Sequence, residues 1–232
     1  MLVSGAGALV LFVVPGAAAP AAVATTSSVL TATKAAIAQQ SSVHLVVTVK
    51  PSSTSSTERI VGDWGKKSGI ESLSLGKATV TIKATPTYAF VSGNSSGLTS
   101  IFGLTAAQAK KLGKDWAFVK AGSSEYSGVK SSLTISSVAD ALPKAKGTKL
   151  STEEAHGVKL YVLKWTVAAT STSPKLVHTL TVSAVGPTLP VEETMTAAGG
   201  GRETITFSKW GEHIVVKAPP ADATIAYAKI VG

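Results

Sequence analysis

From Gly147 to Lys217 the chain is a succession of strand-length stretches closed by glycine or proline. They span 149–152, 158–168, 177–185, 190–196, 202–207 and 213–217, with Gly186-Pro187 and Gly199-Gly200-Gly201 as turns between three of them. Strands joined by turns this tight pair antiparallel, because a parallel pair needs a crossover of a dozen or more residues. Such a sheet has an apolar face that something else must cover. With no catalytic constellation evident, that face is itself the candidate working surface.

The front half continues the pattern. Val43, Leu45, Val47 and Val49 alternate through a strand, a Ser/Thr-rich turn spans 51–57, and strands follow over 58–64, 70–75, 78–84 and 88–91. Gly76-Lys77 and Thr85-Pro86-Thr87 break this meander. Helical spacing interrupts it. Ser27 or Ser28 caps a first helix carrying Val29, Thr33, Ala36, Ile37 and Gln40. Leu98, Ile101 and Phe102 mark a short second helix. Thr105-Ala106-Ala107-Gln108 is a capping box for a third, which Gly113 stops. After a strand over 116–120, residues 133–142 read as another helix ending at Pro143. Strand blocks segregated from helices predict an α+β fold, with the helices on one side of a large twisted antiparallel sheet. No linker divides the chain.

Residues 1–24 carry no charge. Ala6 to Val14 is an apolar run of signal-peptide length, and Ala22-Val23-Ala24 places small residues where a signal peptidase reads, so cleavage is expected before Thr25. The run is too short for a retained span, which needs roughly 20 apolar residues. No Lys or Arg precedes it, so the leader is atypical or begins upstream of Met1. Residues 25–232 then form the expected single domain. The chain has 22 Lys and Arg against 13 Asp and Glu, a formal +9, and no cysteine. Disulfides, thiol catalysis and cysteine metal sites are excluded. The basic excess favours an anionic membrane or envelope surface. Nucleic acid is not favoured: the lysines are scattered, apart from Lys66-Lys67 and Lys110-Lys111-Lys114, and no aromatics interleave with them.

Gly93-Asn94-Ser95-Ser96-Gly97 is a literal G-x-S-x-G between a strand and a helix, the setting of a nucleophile elbow. Glu153 or Asp140, with His156, His178 or His213, would complete the order Ser, acid, His. An elbow belongs to a parallel sheet, however, and the neighbours here are hairpins. A polar turn entering a helix is the preferred reading, and a secreted serine hydrolase using Ser95 the alternative. His44, His156, His178 and His213 are far apart and form no metal-binding pair, so solvent-facing strand positions are expected for them. Glu153-Glu154 and Glu192-Glu193 are adjacent in strands and point to opposite faces. Gly65-Lys66 and Gly76-Lys77 lack the remainder of a phosphate loop.

Several segments, in order, resemble the LolA/LolB-like lipoprotein-carrier superfamily, and within it the actinobacterial LppX/LprG-type relatives. They are the first helix with His44 to Lys50, then Tyr88-Ala89-Phe90-Val91-Ser92-Gly93-Asn94 with Leu98. The helix from Thr105 follows, with Gly113-Lys114-Asp115-Trp116-Ala117-Phe118-Val119. Thr188-Leu189-Pro190-Val191 and Phe207-Ser208-Lys209-Trp210-Gly211 complete the series, ahead of Val215 to Pro220. The resemblance implies a strongly curved, unclosed antiparallel barrel with helices packed in its concave mouth. It implies an apolar chamber between them that holds a lipid or lipidated molecule outside the cytoplasmic membrane, with no cofactor or metal. Expected wall residues are Leu45, Val47, Ile60, Val80, Ile82 and Phe90 on the front strands. Leu98, Ile101, Phe102, Trp116, Leu133 and Leu142 complete the set. A sensor or scaffold module of the same fold with a filled interior is a further alternative. Many relatives are anchored through a cysteine after the leader. Without one, this protein is freely secreted or its anchored start lies upstream of Met1.

Overall fold

The computed structural model describes residues 23–52, 56–171 and 173–232. The leader expected over residues 1–24 lies outside the described residues except for Val23 and Ala24. Helix α1, Thr26–Gln39, starts earlier than either expected serine: Thr25 is the cap, and Ser28 completes a reciprocal capping box with it. Five strands follow as a meander, β1 Ser42–Lys50, β2 Glu58–Gly65, β3 Gly69–Leu75, β4 Ala78–Ala84 and β5 Tyr88–Gly93. Helices α2, Ser95–Ser100, and α3, Ala106–Leu112, separate these from β6, Trp116–Lys120. Helices α4, Ser124–Ser132, and α5, Ser136–Asp140, come next. A second meander is built from β7 Lys149–Ala155, β8 Val158–Val167, β9 Leu176–Ser183, β10 Pro190–Ala197 and β11 Arg202–Ser208. The chain closes with β12, Thr224–Ala226, and α6, Tyr227–Val231.

All twelve strands join one sheet in the order β12-β6-β5-β4-β3-β2-β1-β11-β10-β9-β8-β7, whose two ends do not meet. The fold is α+β with an open curved sheet. Every pairing is antiparallel except β12 on β6, which is parallel. The stretch 213–217 is not a strand, contrary to the expectation from its β-branched sequence. β1 is already paired on both sides, by β2 and β11, so no edge is left beside it for residues 213–217. Backbone with positive φ at Lys209 and Gly211 turns the chain out of β11, and Gly211 N–H donates to Ser42 O at 2.9 Å. The free edge of β6 is taken by residues 224–226 instead.

The register assembles one continuous face. Leu45 and Val47 of β1 lie opposite Phe207 and Ile205 of β11, Val47 opposite Ile60 of β2, Ile60 opposite Leu73 of β3, and Leu73 opposite Val80 of β4. Ile82 pairs with Val91, and Val91 with Ala117. On the other arm Ile205 pairs with Glu193, Glu193 with Leu180, and Leu180 with Leu163. Helices cover this face in three patches. Ile37 of α1 and Val138 of α5 pack with Val43, Leu45, Val47 and Phe207. Val29 and Leu30 of α1 pack with Leu163, Leu180 and Val182. Leu98 of α2, Ala109 and Leu112 of α3, and Ile230 of α6 pack with Val80, Val91 and Ala117. Burial of a side chain such as Leu98 or Leu45 stabilises by about 2 kcal/mol. The alternation within each strand therefore decides which face the helices occupy.

Candidate ligand cavities

The glycine pattern around Ser95 is explained by packing. A Cβ at Gly93 or Gly97 would collide with the Thr79 carbonyl of β4, so both positions exclude a side chain. Asn94 caps α2: its side-chain oxygen accepts from Gly97 N–H at 2.8 Å and Thr79 N–H at 3.2 Å, and its amide donates to Lys77 O at 2.7 Å. Of the candidate histidines, His44 meets Asp63 through Nδ1 at 2.7 Å and His178 meets Glu193 at 2.9 Å. His178 is not solvent-facing: its side chain is 12% exposed and its ring stacks on Trp165, centroids 4.7 Å apart. Among the described residues no three His, Asp or Glu side chains converge as metal ligands would. None of their helices is long and apolar enough to cross a membrane.

Under α5 the helix layer stands off the sheet and leaves a cavity of about 190 Å³. Leu45, Val47 and Trp64 form its floor, Leu180, Pro190, Ile205 and Phe207 its far wall, and Val138, Ala141 and Leu142 its roof. Ser137 and Glu193 are its polar members. A dry cavity of about 150 Å³ lined by Leu, Ile and Phe admits benzene, so this one takes a short run of methylenes as it stands. A second cavity, of about 300 Å³, lies between α4 and the β5–β6 edge, lined by Ala89, Val91, Phe102, Ala117, Val129 and Tyr227 among others. A wider recess of about 510 Å³ continues it past Phe118, Val119, Glu125 and Tyr227.

The two cavities flank the joint between α4 and α5. Leu133, in that joint, is fully buried, and a Cβ on Gly69 of β3 would collide with its carbonyl. Ile135 N–H donates to Gly65 O at 3.2 Å. The joint is thereby pinned onto the β2–β3 hairpin, with α5 roofing one cavity and α4 the other. The helix expected over 133–142 is in fact this joint followed by α5.

The expected wall residues divide accordingly. Leu45, Val47 and Leu142 line the first cavity, and Ile60 packs against the same patch. Phe102 lines the second. Val80 and Leu98 are fully enclosed between α2, α3 and the sheet, with Ile82 and Ile101 packed against them. Phe90 and Trp116 face the opposite side of the sheet, one residue out of step with the expectation, while Ala89, Val91 and Ala117 face the helices. Phe90 is still buried, because Ala218 and Pro219 lie across it with Tyr88 and Phe118. Trp116 lies beneath the Lys83 ammonium, 4.4 Å from the ring centroid. Sequence reasoning missed Trp64, Leu180, Ile205, Phe207 and Glu193. The alternation Glu203, Ile205, Phe207 was the available signal for the β11 wall.

Two carboxylates on the helix-covered face are displaced from ordinary behaviour. Burial pushes Glu71 of β3 up to about 7, an effect the nearby Trp64 indole N–H opposes. That N–H is buried and stands outside hydrogen-bond geometry. Burial also raises Glu203, and Glu193 and Glu58 add repulsion that His178 partly offsets.

No family model matches the sequence, and no curated protein sequence matches it. Among solved structures, the lipoprotein LppX of Mycobacterium tuberculosis is similar over 83% of this chain and 98% of its own, with TM-score 0.51 and 16% identity. LprF from Mycobacterium bovis is similar over 84% of this chain and 96% of its own, with TM-score 0.52 and 12% identity. At such identity the likeness is one of fold. The chain has the open-barrel fold of LppX and LprF, which is the fold that the resemblance to the LolA/LolB-like superfamily implies.

Proposed function

We propose that this chain is an extracytoplasmic carrier of a lipid or lipidated molecule, a single domain over residues 25–232 that follows a cleaved leader. The observation that carries the reading is the apolar cavity between α5 and the sheet. The fold shared with the lipoprotein LppX and with LprF supports it. The mechanism is burial of alkyl chain against Leu45, Val47, Leu142 and Phe207, worth about 0.8 kcal/mol per methylene. A whole acyl chain exceeds about 190 Å³, so loading requires the roof to lift. α5 suits that role: it is five residues long and has no side-chain cap hydrogen bond. In this reading the protein performs no chemistry, and Gly93 and Gly97 serve the packing of α2 on β4.

Protein purified from its host without detergent is expected to carry a lipid adduct in native mass spectrometry. Val138→Trp, which fills the cavity from the roof, should reduce that adduct about tenfold while leaving the thermal unfolding cooperative. Adduct-free protein that also takes up no lipid from vesicles would defeat the carrier reading and favour the module with a filled interior.

A further inference from the structure

Among the described residues that line the first cavity, Glu193 is the one ionisable side chain. It projects from β10 between Ile205 of β11 and Leu180 of β9, in an otherwise apolar rung. His178 Nδ1 holds its Oε1 at 2.9 Å, and both side chains are 12% exposed. The His178 ring is itself fixed by stacking on Trp165, interplanar angle 16°. One carboxylate oxygen is therefore positioned, while the second has no hydrogen-bond partner among the described residues. A carboxylate offers about four acceptor sites, and this second oxygen is not enclosed by protein, so it is open to an incoming donor.

The surroundings sharpen the point. The inward-facing positions of β1 to β6 and β9 to β11 hold Glu58, Glu71, Glu193, Glu203 and His178, and no Lys or Arg. Ser137, the other polar lining residue, donates its hydroxyl to Thr134 O at 2.7 Å. Among the described residues no Lys or Arg lines the cavity to answer an incoming negative charge.

We propose that Glu193, held by His178, reads the head of the cavity's ligand, accepting hydrogen bonds from an uncharged, hydroxyl-bearing lipid and excluding one with a carboxylate or phosphate head. This rests on the carrier reading and adds the chemistry of the head. A hydroxyl supplies the donor that the second oxygen lacks, and hydrogen bonds to an ionised acceptor are the strong ones. An anionic head meets a like charge in a low-dielectric wall, where repulsion is poorly screened.

The test uses a monoacylglycerol and the free fatty acid of the same chain length, titrated at pH 8 and read by native mass spectrometry. The parent protein should prefer the monoacylglycerol by about tenfold or more, the size of one charge-assisted hydrogen bond. Glu193→Gln should bring the fatty acid to within about threefold of it, whereas Ser137→Ala in the same lining should leave the preference intact. Equal binding of the two probes by the parent overturns the head-group assignment and leaves the carrier reading standing. Binding of neither overturns both. A preference that survives Glu193→Gln removes Glu193 from the role. Should that variant fail to fold, the parent's own preference still decides.

Discussion

Glu71 sits 8% exposed on the helix-covered face of β3, opposite Ile82 of β4 and Gly62 of β2. Gly62 lacks a Cβ because one there would press on the Trp64 indole nitrogen and on Glu71 Cβ, which brings indole and carboxyl to the same spot. With its pKa pushed up to about 7 from the ordinary 4.5, the folded protein keeps a proton that the unfolded chain releases between those values. Its contribution therefore falls as pH rises from about 4.5 to about 7, by at most about 3 kcal/mol. Glu71→Gln should match the parent in urea denaturation at pH 4 and exceed it by about 1–3 kcal/mol at pH 8. An equal gap at both pH values would show that another group titrates. At this same scale the sequence was readable for Leu45, Val47 and Leu142, where one face is buried and the other wet. It was not readable for Phe90 and Trp116. Both faces of β5 and β6 are covered, one by helices and one by the Ala218-Pro219 segment, so size does not reveal direction there. The small Ala89 and Ala117 give the second cavity its room.

The joint between α4 and α5 governs how the helix layer meets the sheet. Its fit depends on Gly69, where any side chain would strike the Leu133 carbonyl and approach Leu133 Cβ to 3.0 Å. Gly69→Ala should cost about 1–3 kcal/mol by overpacking. Hydrogen exchange should then accelerate at Ile135, whose N–H bonds Gly65 O, while amides within β1 keep their protection. Gly128→Ala in α4 meets nothing within 4 Å and should be neutral or stabilise by up to about 1 kcal/mol. Equal exchange at Ile135 in Gly69→Ala and parent would refute the pin. Elements with strong periodicity were legible: the sequence bounds of β4 and β6 coincide with the observed ones. α4 was not, because Ser124–Ser132 is mostly small and polar and is secured by one buried side chain. That side chain, Tyr126, donates its hydroxyl to Thr85 O at 2.9 Å and Pro86 O at 3.0 Å. Residues 213–217 have a strand's β-branched composition, but β2 and β11 already flank β1 on both sides, a fact that only the sheet order reveals.

Across the whole molecule, the exterior carries both signs with lysine in excess, while the inward face of the central strands carries no lysine or arginine. Lys66, Lys67, Lys110, Lys111, Lys114, Lys144, Lys146 and Lys149 are exposed, whereas the inward charges of the central strands are carboxylates and one histidine. A basic exterior is drawn to an anionic bilayer, at about 1 kcal/mol per lysine close to the surface. On the proposed reading, Glu193 in the lining would refuse the lipids that make that surface anionic, and attraction to the membrane and choice of cargo would be set by different residues. The exterior term acts across water and is screened over a Debye length of about 8 Å at physiological salt, while the lining acts at contact and is not. Raising salt should therefore separate them. Sedimentation with phosphatidylglycerol vesicles at low salt should retain the protein, binding should weaken about tenfold or more near 0.5 M NaCl, and phosphatidylcholine vesicles should retain little at either salt. The preference for monoacylglycerol over fatty acid should survive the same change of salt. Vesicle binding indifferent to salt and to lipid charge would mean that the lysines are solvated surface and nothing more.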